Sequence, residues 1–297
     1  MKIAILGRAP EGRFLENAAT LLEAAGKRGA TLCYCTEFLE AFRRAGIAVP
    51  PGGSFKAGGP LPGDTDILLT LGGDGTFLSS LACVRDSGIP VAGINFGRLG
   101  FLTAAEAGAG NGALDALFSG QYSVCDRALL SLSETSEPLP EDFYPFAINE
   151  VTFSGEPRGL VSVCLKIDDR QLPPFWADGL IVATPTGSTA YSLSLGGPIV
   201  LPDSEVAVIT PIASHNLNVR PMVVPLSSRL EVTVSSGRGG VLLTADERTA
   251  RFPSGFRTCL TRGAFPLRTV SFSDNNFIDA LRTKLHWGED VRNNHTL

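Results

Sequence analysis

The sequence predicts a two-domain protein, in which an α/β domain with a parallel sheet precedes an all-β domain that forms an antiparallel sandwich. The chain has 297 residues, more than the roughly 100–200 residues that one domain usually takes. Over the first hundred residues strand-like and helix-like segments alternate, which is typical of a parallel sheet covered by helices. After about residue 122, strand-like runs follow one another without long helices, which favours antiparallel sheets. We therefore expect the domains at 1–122 and 123–273.

Apolar runs and helical spacing predict the elements of the first domain in order. Strands are expected at 2–6, 32–34, 66–71 and 90–95, and helices at 13–29, 36–45 and 76–86. Thr36 is the expected N-cap of the second helix. The segment 50–64 holds five glycines and four prolines, so we predict a loop there.

In the second domain, period-two patterns and apolar runs predict strands. They lie at 123–133, 147–154, 160–168, 180–184, 206–210, 230–235, 241–244 and 268–272. A short helix is expected at 188–194. Residues 276–286 carry apolar side chains on one side of a helix and predict an amphipathic C-terminal helix.

Charge and composition exclude several classes of function. The formal net charge is −5 and no run of basic residues occurs, which argues against nucleic acid and anionic membrane surfaces as partners. No stretch reaches the ~20 apolar residues of a membrane helix, and the apolar residues 3–6 are too few for a signal peptide. We expect a cytoplasmic protein. Three histidines without an H-E-x-x-H pattern argue against a zinc site built from histidines.

The strongest local motif is GGDGT at 72–76, which follows an apolar strand and opens a helix. Gly72, Gly73 and Gly75 let the main chain bend and direct its N–H groups towards an anion such as phosphate. Asp74 fits a role in orienting Mg²⁺ or accepting a proton from an attacking hydroxyl, and Thr76 can cap the helix. The alternative is a tight turn with Asp74 as N-cap. No Walker A pattern occurs, which excludes a P-loop NTPase.

A second motif, DGLIVATPTGSTAY at 178–191, places four hydroxyls in a turn after an apolar strand. Such a turn can bind an oxygen-rich ligand, and Tyr191 adds an aromatic face; a plain loop with a capped helix is the alternative. Asn149 and Glu150 could read a base edge and ribose hydroxyls, or form an ordinary surface pair. His215 and Arg220 lie between prolines and could be loop residues.

Taken together, the motifs resemble the NAD kinase (ATP-NAD kinase) family. The ordered matches are GGDGTFL at 72–78, NFGRLGFLT at 95–103, AINEVTF at 147–153, the 178–200 segment, HNLNVRP at 215–221 and FIDALRTKLHW at 277–287. The resemblance implies a Rossmann-like first domain completed by residues 274–290, because the C-terminal helix returns to it, and an all-β NAD-binding and oligomerisation domain.

The resemblance also implies transfer of the γ-phosphoryl group of ATP to the 2′-hydroxyl of the adenosine ribose of NAD, with Mg²⁺ or another divalent metal. No residue is firmly assigned to the metal, which would come with ATP. Asp74 would be the catalytic carboxylate, and the phosphate loop would be shaped by Gly72, Gly73, Gly75 and Thr76.

For NAD, the resemblance implies that Asn149 and Glu150 hold ribose hydroxyls and that Asp178 contacts the nicotinamide end. Asp74, Gly75 and Ser194 join the NAD-binding set. The residues at the adenine end would be Phe101, Thr186, Thr189, Ala190 and Tyr191.

The segment 212–220 matches a family subunit contact, which implies a homodimer or homotetramer. Some relatives also accept polyphosphate as donor. Two departures stand out: Asp246, Glu247 and Arg248 replace an Asp-Gly-Gln-like turn, which leaves that turn's contact to NAD open, and Ser214 replaces a proline. The alternatives are a lipid kinase that shares GGDGT and a non-catalytic NAD sensor on the same fold.

Overall fold

A computed structural model of the chain describes residues 1–8, 12–96, 100–103, 105–106, 110–157, 159–272 and 277–287. Residues 97–99 of the predicted 95–103 motif lie outside the described residues. So do 274–276 and 288–290 of the segment expected to complete the first domain.

The first domain is built on a sheet with the order β3-β2-β1-β4-β5-β21-β7, in which β6 also pairs with β5. Neighbours run parallel from β3 to β21, whereas β7 is antiparallel to β21. The strands are β1 (Lys2–Gly7), β2 (Thr31–Cys35), β3 (Gly52–Phe55), β4 (Ile67–Leu71), β5 (Val91–Asn95), β6 (Ala105–Glu106), β7 (Ser123–Arg127) and β21 (Leu267–Ser271). The predicted parallel sheet is therefore confirmed.

Helices cover this sheet with apolar side chains, among them Leu22, Phe38, Phe42 and Phe77, which are almost completely buried. Their bounds are α1 (Arg13–Lys27), α2 (Thr36–Arg44), α3 (Asp74–Ser79), α4 (Leu81–Val84) and α5 (Gly110–Ser119). The helix predicted at 76–86 is in fact the two short helices α3 and α4, and it begins two residues earlier.

Part of the predicted loop at 50–64 forms strand β3, so the loop prediction was wrong for those four residues. β3 is an edge strand that pairs with β2 through the main chain, and only Phe55 of its side chains is buried. A pattern of side chains cannot reveal such pairing. Thr36 is also not an N-cap: it is the first residue of α2, and its hydroxyl donates to the Phe55 carbonyl at 3.0 Å.

Two strands from the later part of the chain join the first sheet. The predicted strand 123–133 is two strands, and only β7 lies in this sheet, whereas the next one lies in the second domain. β21 pairs with β5 on one side and β7 on the other. From the sequence, both segments were expected in the second domain. Their pairing brings the chain back to the first sheet just before the C-terminal helix.

The second domain packs two antiparallel sheets on a shared apolar core that includes Phe153, Val163, Val232 and Leu243. One sheet has the order β16-β15-β14-β10-β18-β19, and the other β12-β11-β17-β20-β8-β9, with β13 beside β11. Their bounds are β8 (Leu130–Ser133), β9 (Phe146–Ala147), β10 (Glu150–Glu156), β11 (Val161–Ile167), β12 (Arg170–Gln171), β13 (Phe175–Ala177), β14 (Gly179–Ala183), β15 (Val206–Ile212), β16 (Met222–Pro225), β17 (Leu230–Ser236), β18 (Gly240–Ala245), β19 (Arg248–Phe252) and β20 (Phe256–Arg262). This confirms the predicted sandwich.

The helix predicted at 188–194 is a 3-10 helix, Thr186–Thr189, followed by α6 (Tyr191–Ser194). The C-terminal helix is α7 (Phe277–Leu285). Its Phe277 ring lies 6.3 Å from the ring of Phe101, so α7 returns to the first domain as expected. In the described ranges no helix has the length and apolar character to cross a membrane.

Candidate active site

The glycine-rich turn after β4 begins at a position that only glycine can occupy. Gly72 has a φ of 148°, and a Cβ there would lie 2.4 Å from Thr76 Oγ1. Its N–H donates to the Ile94 carbonyl of the neighbouring strand β5. The Gly73 carbonyl accepts the N–H groups of Thr76 and Phe77 and so starts α3. Neither Asp74 nor Thr76 caps the helix with its side chain, so both capping interpretations were wrong.

The Asp74 carboxylate is held by a different segment, the loop after β5. Oδ2 accepts the Phe101 N–H at 2.9 Å, and Oδ1 accepts the Leu102 N–H at 3.2 Å. Each carboxylate oxygen has about two acceptor positions, and each accepts one of these two N–H groups. The two bonds fix the orientation of the carboxylate and place it beside Phe101, the residue expected at the adenine end.

Gly100 allows the loop after β5 to come close to the Asp74 carboxylate. A Cβ at position 100 would lie 1.7 Å from Asp74 Oδ1, far inside contact distance. The loop is braced by a hydrogen bond from the Gly100 N–H to Thr103 Oγ1 at 2.9 Å. Gly100 is thus required by the carboxylate it touches.

Asn149 and Glu150 occupy a turn that a buried carboxylate organises. Asp246 accepts the N–H groups of Ile148 at 3.0 Å, Asn149 at 2.8 Å and Glu150 at 3.2 Å, and its side chain is fully buried. Arg248 Nη2 lies 3.5 Å from Asp246 Oδ2. In the sequence, residues 246–248 stand out only as a departure from the family pattern. Their contact to this turn depends on pairing between β10 and β18, which no local motif reveals.

Burial, and to a lesser extent the negative charge of Asp246, raise the pKa of Glu150 to about 8. Glu150 Oε2 is buried and has no hydrogen-bond partner in the part of the chain that the structure describes. Burial also raises the pKa of Asp246, and Arg248 with the three N–H groups opposes that rise. Because desolvation penalises the charged form, the Glu150 carboxyl is largely protonated at pH 7 in the unliganded chain.

The hydroxyl-rich turn after β14 packs against the Asn149 turn. Thr184 donates its hydroxyl to the Ile148 carbonyl at 2.5 Å and accepts the Gly187 N–H at 3.1 Å. Thr189 donates to the Thr186 carbonyl at 3.2 Å. Within the described ranges, Thr186 Oγ1 is buried without a hydrogen-bond partner. Thr184 is therefore structural, whereas Thr186 is available to a ligand.

A cavity of about 1170 Å³ brings three of the five expected adenine-end residues together. Phe101, Thr186 and Thr189 line it, together with residues of β7, β21 and α7. Lys284 of α7 lies with its Nζ 4.6 Å from the centroid of the Phe101 ring. A mostly apolar cleft with a few convergent polar groups is typical of a small-molecule site.

The remaining predicted residues lie further out. Tyr191 and Ser194 are exposed on α6, and Ala190 is half-buried between the 3-10 helix and α6. Asp178 precedes β14, so it lies at the opposite end of that strand from Thr186, roughly 20 Å away at 3.3 Å per residue. Its carboxylate contacts His215, with 3.9 Å between Oδ1 and Nε2. Among the described residues the structure does not bring Asp178 to the other predicted site residues.

No cluster of three acidic, histidine or cysteine side chains suited to a metal ion occurs in the part of the chain that the structure describes. Mg²⁺ usually needs one or two carboxylates besides substrate phosphates and water. Asp74 is a carboxylate in the glycine-rich turn, and it fits a metal that arrives bound to a polyphosphate.

Comparisons with known proteins match this chain to one family. The ATP-NAD kinase N-terminal domain model matches residues 61–122, and the ATP-NAD kinase C-terminal domain model matches 148–272. An NAD kinase of Christiangramia forsetii is 35% identical over 295 residues, which cover 99% of this chain and all of that protein. An NAD kinase of Bacteroides fragilis is 36% identical over 98% of this chain and all of that protein.

Two solved structures share the fold. Yeast NADH kinase complexed with NADH has a TM-score of 0.83 and 23% identity, covering 97% of this chain and 88% of that one. An NAD kinase from Archaeoglobus fulgidus in complex with ATP has a TM-score of 0.69 and 24% identity, covering 93% and 94%.

The clash at position 100 gives a first prediction. Gly100→Ala should lower the free energy of unfolding in urea by about 1–3 kcal/mol, as overpacking does. In an Asp74→Ala background the same change should cost much less, since the clashing carboxylate is gone, and a double-mutant cycle measures this coupling. Gly112→Ala is the control, because a Cβ there meets nothing within 4 Å. Additive effects at positions 74 and 100 would contradict the contact.

The raised pKa of Glu150 gives a second prediction. Its folded-state pKa of about 8 lies above the unfolded value of about 4.3. Its contribution to stability is therefore complete below that unfolded value and is lost as the pH rises through the folded one. The unfolding temperature of Glu150→Gln relative to the unmodified chain should increase from pH 6 to about pH 8 and level off above that.

Glu231→Gln is the control for that titration. Its hydrogen bond with Lys166 lowers the pKa of Glu231, so its effect should not change between pH 6 and pH 9. A Glu150→Gln difference that stays constant over the same range would show that Glu150 titrates normally.

Proposed function

This chain belongs to the ATP-NAD kinase family, and on that basis we propose that it transfers the γ-phosphoryl group of ATP to the 2′-hydroxyl of the adenosine ribose of NAD. The products are NADP and ADP. The observation that carries the proposal is the Asp74 carboxylate, which lies in the glycine-rich turn and is oriented by the N–H groups of Phe101 and Leu102. The same loop therefore holds the proposed base and one wall of the cavity.

We propose that the triphosphate of ATP binds at the turn of residues 72–76. The main-chain N–H groups around Gly73 and Gly75 are the donors that phosphate oxygens need, and Gly75 is exposed. Phosphoryl transfer requires alignment and charge neutralisation more than covalent chemistry. Mg²⁺ bound with ATP would neutralise phosphate charge, and Asp74 is the side chain that would hold it.

For the acceptor, we propose that Asn149 and Glu150 bind ribose hydroxyls and that Phe101, Thr186 and Thr189 surround the adenine. Two buried oxygens support this assignment, because Glu150 Oε2 and Thr186 Oγ1 have no hydrogen-bond partner among the described residues. A buried polar atom without a partner is costly, and a ribose or a base would satisfy both. Ala190, Tyr191 and Ser194 extend this surface.

In the proposed reaction the 2′-hydroxyl oxygen attacks the γ-phosphorus of ATP. The bond between that phosphorus and the oxygen bridging to the β-phosphorus breaks, and ADP leaves with the electron pair. The hydroxyl proton passes to the Asp74 carboxylate. A base oriented in this way contributes roughly 10²–10⁴-fold to the rate.

A third prediction tests the role of Asp74. Asp74→Asn should lower kcat at least about 100-fold, because an amide cannot take up the hydroxyl proton. NADP is measured with an NADP-specific dehydrogenase after incubation with NAD, ATP and Mg²⁺, and polyphosphate replaces ATP in a parallel tube. Binding of NAD by calorimetry should change little, which separates chemistry from binding. Near-normal turnover of Asp74→Asn would remove Asp74 from the mechanism.

We also propose that the chain assembles into a homodimer or homotetramer through the region of Asp178 and His215. Trp176 and Leu217 lie beside these residues and are 48% and 89% exposed, which is unusual for large apolar side chains. The His215 N–H donates to the Trp176 carbonyl at 2.9 Å, so the two segments form one surface. A subunit contact here would place Asp178 against a second chain.

The fourth prediction concerns this surface. Leu217→Asp should convert the assembly to monomers, because a buried unpaired carboxylate opposes association, and light scattering after size exclusion measures the mass. Tyr122→Asp is the matched control, since Tyr122 is also exposed but lies in the first domain. Unchanged mass in Leu217→Asp would argue against a contact at this surface.

A further inference from the structure

Arg8 follows β1 and reaches across the glycine-rich turn. Its Nη2 donates to Ser79 Oγ at 3.1 Å and to Glu247 Oε1. A Cβ placed on Gly75 would lie 3.6 Å from Arg8 Nη1 and 3.9 Å from Glu247 Oε2. The guanidinium is therefore directly above the turn proposed to bind the phosphates of ATP.

The partners of Arg8 come from both domains. Ser79 belongs to α3, and its hydroxyl donates to the Gly75 carbonyl at 3.0 Å. Glu247 lies in the turn between β18 and β19 of the second domain, next to the Asp246 carboxylate that organises the Asn149 turn. It is also one of the residues that depart from the family pattern. The ion pair thus joins the proposed donor and acceptor sides of the site.

Stability alone explains this ion pair poorly. The Arg8 side chain is 59% exposed, and an exposed ion pair usually contributes only about 0–1 kcal/mol. A guanidinium carries five N–H donors in a planar fork. Glu247 and Ser79 occupy Nη2, whereas Nη1 faces the turn. The N–H groups on the Nη1 side of the guanidinium match the spacing of two phosphate oxygens.

We propose that Arg8 binds the phosphate chain of the phosphoryl donor, and that Glu247 and Ser79 are positioning residues that hold its guanidinium over residue 75. The inference rests on the proposed function, in which residues 72–76 receive that phosphate chain. The ligand chemistry is a phosphoanhydride chain, supplied by ATP or by polyphosphate. NAD also carries a pyrophosphate, and the test separates the two.

The fifth prediction is that a change at Arg8 affects KM for ATP much more than KM for NAD. Arg8→Ala should raise KM for ATP about 10- to 100-fold, the loss expected for hydrogen bonds to a charged group, while KM for NAD stays within about twofold. Arg8→Lys should be intermediate, because an ammonium keeps the charge and loses the fork. Arg251→Ala is the matched control, since Arg251 is an exposed arginine paired with Glu156 outside the site.

Calorimetry with ATP and with AMP tests whether Arg8 contacts the outer phosphates of the donor. Arg8→Ala should weaken binding of ATP much more than binding of AMP, because AMP lacks the outer phosphates. Equal KM for ATP in Arg8→Ala and the unmodified chain would overturn the proposal. A rise in KM for NAD in place of ATP would overturn it too, by assigning Arg8 to the acceptor.

The positioning residues have their own test. Glu247→Ala should raise KM for ATP several-fold with little change in kcat, and Glu247→Gln should recover most of the loss, because its amide oxygen still accepts from Arg8. A purely structural role would instead lower the unfolding temperature of both variants without separating the two substrates. Tighter ATP binding in Glu247→Ala would show that Glu247 competes with phosphate, and would overturn its positioning role.

Failure of this inference is distinguishable from failure of the proposed function. If the unmodified chain forms no NADP with either donor, the proposed function fails. The calorimetric comparison of ATP with AMP then still decides whether Arg8 binds the phosphate chain.

Discussion

The geometry of the candidate site depends on the buried carboxylate of Asp246. It accepts the N–H groups of three consecutive residues, and two of them carry the Asn149 and Glu150 side chains. Any other orientation of this turn would leave buried N–H groups without partners, which is costly. The same carboxylate contributes to the raised pKa of Glu150. Asp246 therefore fixes the main chain at Glu150 and adds to the rise in pKa that burial causes.

Asp74 repeats this arrangement in the first domain. It too is a carboxylate in a turn that accepts main-chain N–H groups from another segment, here Phe101 and Leu102. Both turns are thus held in place before any ligand binds. For a reaction that depends on alignment, such preorganisation reduces what must be ordered when the substrates meet. Conformational freedom remains in long side chains at the edge of the site, such as Arg8.

The sequence predicted those features whose information is local. The alternation of strands and helices, the glycine-rich turn and the hydroxyl-rich turn are each encoded within a few residues, and the structure contains all of them. The pairing of β21 with β5 and β7, by contrast, joins distant segments, and their strand patterns do not indicate which sheet they enter. The strand β3 went unrecognised because its side chains are mostly exposed. Arg8 and Glu247, 239 residues apart, meet only through the packing of two domains.

The pair of Arg8 and Glu247 also resolves an electrostatic difficulty of the proposed donor site. A second carboxylate near Gly75, in addition to Asp74, would repel a triphosphate at close range. Paired with Arg8, Glu247 adds no net charge to the turn, and the outward Nη1 leaves a positive edge towards the ligand. A glutamate in this turn is therefore compatible with phosphate binding only when a cation accompanies it. The departure at residue 247 and the arginine after β1 are best understood as one feature of the chain.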